Sequence, residues 1–387
     1  MQKEAFDCSS SVVSNLAVLD VSNKELEVDK EAFATLNNIR NLYTNDKVLC
    51  CVYFLQFPLS KANCFSPEDE LSSCTDLLAS FALRLFLWLQ SAFALFGNGA
   101  VLIYRLFFEK RSSALGFHVF VTSLSLSDFM MGFYLSIIGS ADVFYRGQFL
   151  WQRWEWKRTP LCTLAGILGL VSSEVSAFTI CLIMIDRLLA VKFPLHRQFH
   201  FSWKSATVAS TLSWIIGVAL SIYPLLPSNF HWEFYRQNGI CLPLPITRQD
   251  FAGHNYALSV FLVLNFTIFM IIGIGQILIY FTVRASKKIS SSANTKDVVI
   301  ARRLFIVVFS DFCCWFPVGV MGVMAAIGVP IPGDVNVWTA VFILPLNSAL
   351  NPFLYTFSKY RQKREAMKEE KRYQDFVKRF KILHAQK

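Results

Sequence analysis

Residues 161–191 read LCTLAGILGLVSSEVSAFTICLIMIDRLLAV. This run is apolar and longer than the roughly 20 residues a bilayer span needs. It nevertheless contains Glu174 and closes on Asp186-Arg187-Leu188. Charges inside membrane-length helices are costly, so each needs a structural or functional reason. Two further interruptions lie downstream. Cys314-Trp315-Phe316-Pro317 sits inside another apolar run, and Asn351-Pro352-Phe353-Leu354-Tyr355 ends a third. In all, seven stretches qualify as spans: Leu77–Tyr104, Leu115–Ile138, Leu161–Val191, Ser205–Leu226, Tyr256–Val283, Val299–Ile327 and Val335–Phe357.

The bulk numbers agree with a polytopic membrane protein. Of 387 residues, 54% are hydrophobic and 17% charged, against about 25% charged in soluble chains. The 37 phenylalanines suit lipid-facing and belt positions. The net charge of +10 would suggest nucleic acid, but its placement argues against that. If the N-terminus is outside, the inner loops hold three, three and six Lys or Arg, and the segment from Lys359 holds eleven. The outer loops hold four, two and none. This bias predicts an extracellular N-terminus and a basic face toward anionic lipid and a cytosolic partner, with no nucleic acid.

Before the first span, Leu16-x-x-Leu19-x-Val21-x-x-x-x-Leu26 recurs as Ile39-x-x-Leu42-x-Thr44-x-x-x-x-Leu49. The 23-residue offset falls in the leucine-rich-repeat range, although Lys24 and Lys47 occupy the consensus asparagine. Two units suggest the end of a longer array, capped by Cys50 and Cys51. The alternative is two amphipathic pieces at chance spacing. No secretory signal is evident at Met1–Ser10, so an incomplete copy of a longer precursor is expected. Residues 1–49 read as extracellular partial repeats and 50–76 as a Cys-rich hinge. Residues 77–357 read as the bundle, and 358–387 as a cytoplasmic segment with a short amphipathic helix. The expected fold is thus an all-α seven-transmembrane helix bundle with a small repeat remnant.

Polar residues recur within the spans: Asn98, Asp128, Ser176, Asp311, Asn347, Ser348 and Asn351. Asn347 and Asn351, four apart, share a helix face. Asp128 and Asp311 need pairing, hydration or a cation, or must be protonated. A packing network without an ion is the other reading. Arg187 lies eleven residues after Ser176, on the same stripe. Its local partner is Asp186. Pro317 and Pro352 each remove a helix hydrogen bond and kink their spans. Trp315 is a large rotamer-limited plug. Glu174 reads equally as glue between helices or as a ligand-pocket residue. Asn265-Phe266-Thr267 is a glycosylation sequon in a position that should keep it silent.

The three interruptions, at these places in successive spans, resemble the switch elements of rhodopsin-like G-protein-coupled receptors. The likeness covers about Leu77 to Lys371. Asp311-Phe312-x-Cys314-Trp315-x-Pro317, Tyr145-Arg146-Gly147-Gln148-Phe149 and Ser173-Glu174-Val175-Ser176 look like the relaxin-type receptors of the leucine-rich-repeat branch. So does the lack of proline in the fifth span. The resemblance implies a sodium pocket at Asp128, Ser176, Ser348 and Asn351, and a contact of Asp311 with Asn347 or Asn351. It implies an ionic lock from Arg187 to Asp297, and G-protein switch roles for Asp186, Arg187, Asp297 and Tyr355. Trp315, Pro317, Asn351 and Pro352 become toggle and hinge. A disulfide Cys162–Cys241 is implied as well.

The same resemblance implies a plasma-membrane receptor that passes a relaxin- or insulin-like peptide-hormone signal to heterotrimeric G proteins by movement of the sixth span. Arrestin is a further expected partner, read at Ser286 and Ser290–Thr295. Pro345 stands where an opsin needs lysine, and Gly169 where amine receptors carry aspartate. No nucleophile–base pair, metal-spaced His or Cys set, or phosphate loop appears, so no enzyme and no cofactor beyond sodium is expected. The alternatives are a truncated, non-signalling or ligand-independent variant, or a transporter. The inverted repeats of a transporter are not visible.

Overall fold

The computed structural model describes residues 18–21, 39–44, 50–51, 63–65, 75–108, 115–193, 200–242, 252–289, 316–324, 327, 329, 338–353 and 367. Five helices in it are long and apolar enough to cross a membrane: Phe81–Phe108, Gly116–Phe144, Pro160–Lys192, Trp203–Leu225 and His254–Thr282. These are the first to fifth spans. Residues 316–324 and 338–353 are the described parts of the sixth and seventh. Asp297, Asp311, Trp315 and Tyr355 lie outside the described residues, as do Ser290–Thr295 and most of the expected amphipathic helix.

Local chemistry sets the helix starts. Ser80 is extended, and its hydroxyl accepts the Ala82 N–H at 3.2 Å. The first helix therefore begins at Phe81 rather than at the expected Leu77. Leu77 and Leu78 are fully buried beneath loops instead of entering the helix. Thr159 caps the third span by accepting the Cys162 N–H at 3.1 Å, with Pro160 in the first turn. Ser202 caps the fourth in the same way through Ser205.

The third span is central: 67% of its membrane-length window is buried, against 28% for the first and fourth. Its polar residues therefore face protein, and the outer faces of the peripheral helices carry the lipid-suited Leu, Ile, Val and Phe. Two widened π-turns, Phe93–Gly97 and Leu258–Leu264, interrupt the first and fifth spans immediately before Asn98 and Asn265. Such bulges re-aim the residue that follows. The fifth span has no proline, so its irregular turn comes from this π segment.

One end of the bundle is built from loops the sequence did not resolve. A helix at Phe149–Arg158 follows the second span, and short 3-10 turns at Phe230–Trp232 and Phe234–Arg236 follow the fourth. The Cys162–Cys241 disulfide is formed and ties the second of these loops to the start of the third span. Trp156 Nε1 donates to the Gly239 carbonyl at 2.7 Å. Tyr134 donates to the Ile240 carbonyl at 3.1 Å, and Tyr235 to the Ser221 carbonyl at 2.7 Å.

Ahead of the spans, β1 (Val18–Val21), β2 (Asn41–Thr44) and β3 (Asn63–Phe65) form a parallel sheet in that order. Val18 pairs with Asn41, which is the 23-residue offset of the sequence repeat. Asn41 pairs with Asn63, so the sheet adds a strand inside the stretch expected to be hinge. Leu19, Val21, Leu42 and Thr44 face inward. Tyr43 and Phe65 stack at 4.8 Å on the other face. Cys50 is bonded to Cys64 on β3.

Gly166 tests how tightly the disulfide end is packed. A Cβ there would collide with the Tyr235 ring and the Cys241 carbonyl, a backbone atom next to the disulfide. At Gly99 the nearest atom would be Phe129 Cε2 at 3.4 Å, an ordinary contact. Gly166→Ala is expected to cost about 1–3 kcal/mol and lower the melting temperature of the purified receptor. Gly99→Ala should melt like the wild type, and equal melting of the two variants would contradict this packing.

Candidate functional site: a buried polar network joining four spans

The network centres on Asp128 of the second span, which is fully buried. Its Oδ1 accepts from Ser348 Oγ at 2.9 Å and from Ser176 Oγ at 3.4 Å. Its Oδ2 accepts from Asn351 Nδ2 at 2.7 Å. Asn98 of the first span donates to the Ser348 carbonyl at 3.0 Å, and to the Ala94 carbonyl of its own π-turn at 3.0 Å. Ser172 of the third span donates to the Ser127 carbonyl at 2.6 Å. One carboxylate thus gathers donors from the third and seventh spans, and Asn98 adds the first. The backbones allow this because they come close: a Cβ on Gly97 would lie 2.9 Å from Pro352.

The arrangement is rich in acceptors. The side-chain oxygens of Asn98, Asn347 and Asn351 are buried with no hydrogen-bond partner among the described residues. A cavity lined by Tyr134, Ser173, Ser176, Leu242, Asn347 and Ser348 runs from the disulfide-bonded loop to the network. Carboxylate, hydroxyl and amide oxygens are the donor set of a hard cation. Asp128, Ser176, Ser348 and Asn351 offer oxygens of that kind, the Asn351 oxygen being one of the unpartnered ones. Among the described residues, no His, Cys, Asp and Glu cluster suits another metal.

Of the residues singled out in the sequence, Asn98, Asp128, Ser176, Ser348 and Asn351 come together, and Asn347 faces the adjoining cavity. At the far end of the third span, Arg187 donates to Asp186 Oδ2 at 2.6 Å and its guanidinium lies over the Phe117 ring at 4.5 Å. The Arg187 Nε is buried without a hydrogen-bond partner among the described residues. Pro317 and Pro352 both sit within helix, at 316–324 and 338–353.

Glu174, left open between two roles, bridges helices. Its Oε1 accepts from Asn265 Nδ2 at 2.9 Å, and both residues are buried. Asn265 also donates to the Val260 carbonyl at 3.2 Å, inside the π-turn. The supposed sequon is therefore a joint between the third and fifth spans. A buried acid needs a donor, and Asn265 is the mid-span amide of the fifth run, so the pair was within reach of sequence reasoning. Also unforeseen was a charged cluster of Asp76, Arg84, Asp142 and Arg146 at the disulfide end.

A bundle of membrane-length helices with a polar middle and an arginine at one end is the architecture of a helical membrane receptor. Residues 97–355 match the family described as 7 transmembrane receptor (rhodopsin family). The chain belongs to that family; it is a multi-pass membrane receptor and not an enzyme. It is 34% identical over 330 residues to the G-protein coupled receptor GRL101 of Lymnaea stagnalis, covering 85% of this chain and 29% of that one. It is 32% identical to Relaxin receptor 2 of Canis lupus familiaris, covering 76% and 40%. Relaxin receptor 1 of Homo sapiens is 31% identical, covering 76% and 39%. The chain thus spans well under half the length of these relatives. Squid rhodopsin shares the fold with a TM-score of 0.55 at 18% identity, covering 73% of this chain and 83% of that one.

Asn98→Ala removes two buried donors and leaves the Ser348 carbonyl short of one. A loss of about 1–2 kcal/mol is expected. The measurement is thermal unfolding of the purified receptor. An unchanged transition would show that Asn98 contributes no net hold between the first and seventh spans.

Proposed function

We propose that the chain carries a peptide-hormone signal of relaxin- or insulin-like type across the plasma membrane to heterotrimeric G proteins. In this reading the N-terminus and the disulfide end face outward and the Arg187 end faces the cytosol. The observation that carries it is the state of Arg187. Its guanidinium is held by its sequence neighbour Asp186 and by the Phe117 ring. One contact is with a sequence neighbour and the other is with a ring on the second span, so Arg187 can leave both by a change of side-chain rotamer without unfolding the third span. A G-protein helix offering carbonyls or a carboxylate would satisfy the guanidinium in exchange.

The remaining parts fit the same scheme. Outward swing of the sixth span about Pro317 would open the cleft beside Arg187, and Asp297 would be the acid released. Asp128, Ser176, Ser348 and Asn351 would hold a sodium ion, which supplies the positive charge the buried carboxylate otherwise lacks. Tyr355, Trp315 and Asp311 would relay between that centre and the cleft. The parallel strands at a repeat-like offset support a leucine-rich-repeat remnant. Arrestin would read Ser286 and Ser290–Thr295. The hormone type rests on the likeness to the relaxin receptors, whose chains are much longer.

Arg187→Ala at matched surface expression should reduce nucleotide exchange on the partner G protein at least tenfold. Exchange at wild-type rate would overturn the reading.

A further inference from the structure

The chain just before the first span is bolted onto the second. Asp142, near the disulfide end of the second span, is 1% exposed. Its Oδ1 accepts the Leu78 N–H at 2.9 Å. Arg146 lies 3.2 Å from its Oδ2, and Arg84 Nε lies 3.1 Å from the same oxygen as an ion pair without hydrogen-bond alignment. Asp76 completes the clamp: Oδ1 accepts the Gly147 N–H at 2.8 Å and Oδ2 accepts Arg84 at 2.6 Å. Arg84 also donates to the Leu78 carbonyl at 2.8 Å, and the Phe149 N–H donates to the Thr75 carbonyl at 3.1 Å. Burial raises the Asp76 carboxyl pKa, but the Gly147 N–H and the two arginines outweigh it and hold the group below its ordinary value.

The first and second spans are themselves joined. Ser91 Oγ donates to the Gly132 carbonyl at 3.1 Å and meets Ser136 Oγ at 2.8 Å. A Cβ on Gly132 would lie 2.7 Å from Leu95, and one on Gly139 2.8 Å from Leu87. Segment 75–80 and the first two spans therefore form one stiff unit. That unit carries Asp128 and Asn98, two of the network's members. Asp128 lies fourteen residues below Asp142 on the same helix, about 21 Å away at helical rise.

We propose that this clamp makes the second span the input lever of the receptor, so that displacement of the chain before Thr75 is delivered to Asp128 and its partners on the third and seventh spans. The proposal rests on the chain being a signalling receptor, and its physical part can be tested apart from signalling. Clamped backbone resists local motion because breaking it leaves desolvated charges unpaired.

The experiment is hydrogen exchange by mass spectrometry on the full chain in nanodiscs, comparing wild type with Asp76→Asn, Arg84→Gln and Arg146→Gln. Asp76→Asn and Arg84→Gln should accelerate exchange in residues 76–80 and 145–149 at least tenfold. They should also accelerate it at least threefold in 124–132 and 344–353, around the polar network. Arg146 is half exposed, and its loss should act less than threefold at the clamp and leave the network unchanged. If Arg84→Gln does not fold, the near-isosteric Asp76→Asn carries the test. Acceleration confined to the clamp, with 124–132 and 344–353 unchanged, would overturn the lever. G-protein nucleotide exchange per surface receptor is measured alongside. Its absence in the wild type, with exchange still coupled between clamp and network, would defeat the signalling reading and leave the mechanical one standing.

Discussion

Everything in the bundle is arranged around one buried carboxylate. Asp128 has no access to water, and an ionised acid in such surroundings costs several kcal/mol unless donors replace the solvent. The donors come from two other spans: Ser176 on the third, Ser348 and Asn351 on the seventh. Asn98 then ties the first span to the backbone of Ser348. Separating the third or the seventh helix would strip the acid of a partner, and separating the first would leave the Asn98 amide unpaired from Ser348. Hydrophobic packing alone gives little such selectivity in a bilayer, because lipid tails are as apolar as the side chains.

Short donors impose a second constraint. Serine and asparagine reach only a few ångströms, so the helices that exchange these bonds must approach closely. Glycine supplies the approach: Gly97 lies against Pro352, Gly132 against Leu95, and Gly217 against Val175. The π-turns belong to the same logic. Phe93–Gly97 and Leu258–Leu264 each end at an asparagine, whose side-chain amide adds a second hydrogen bond to a carbonyl, Ala94 or Val260, that already accepts the same residue's backbone N–H. Asn265 thereby steadies the bent turn of a proline-free helix and grips Glu174 with the same amide group.

The legibility of these features follows their cost in lipid. Apolar runs and the polar residues within them stand out in the sequence because hydrocarbon makes them exceptional, so the spans and their polar residues were legible from residues alone, while the grouping around Asp128 came from the family resemblance. The ends of spans are less exceptional. Leu77 and Leu78 looked like the start of a helix because burial under a loop and burial in lipid demand the same residue types. The helix at Phe149–Arg158, rich in Trp, Arg and Lys, lacks the long apolar period that marks a span. Asp76, Arg84, Asp142 and Arg146 were each unremarkable at a membrane edge, and only the tertiary fold links them through the pairs Asp76–Arg84, Arg84–Asp142 and Asp142–Arg146. β3 was hidden because Asn63-Cys64-Phe65 carries no leucine frame.

The two charged centres differ in how completely they are satisfied, and the difference bears on which one moves. At the clamp, each carboxylate accepts from a backbone N–H and from an arginine, and losing these partners would leave the buried Asp142 carboxylate desolvated. At the Asp128 network, the amide oxygens of Asn98, Asn347 and Asn351 meet no donor among the described residues, and a cavity adjoins Asn347. Rotating an amide there, or admitting water or a cation, adds contacts as readily as it removes them. Glu174 and Asn265 share this condition, each keeping one buried oxygen unpartnered. Saturated polar clusters rigidify a fold, and unsaturated ones leave near-equal alternatives. The second span thus runs from a joint that resists rearrangement to one that tolerates it, which is the physical requirement for a lever that shifts its far end without losing its near one.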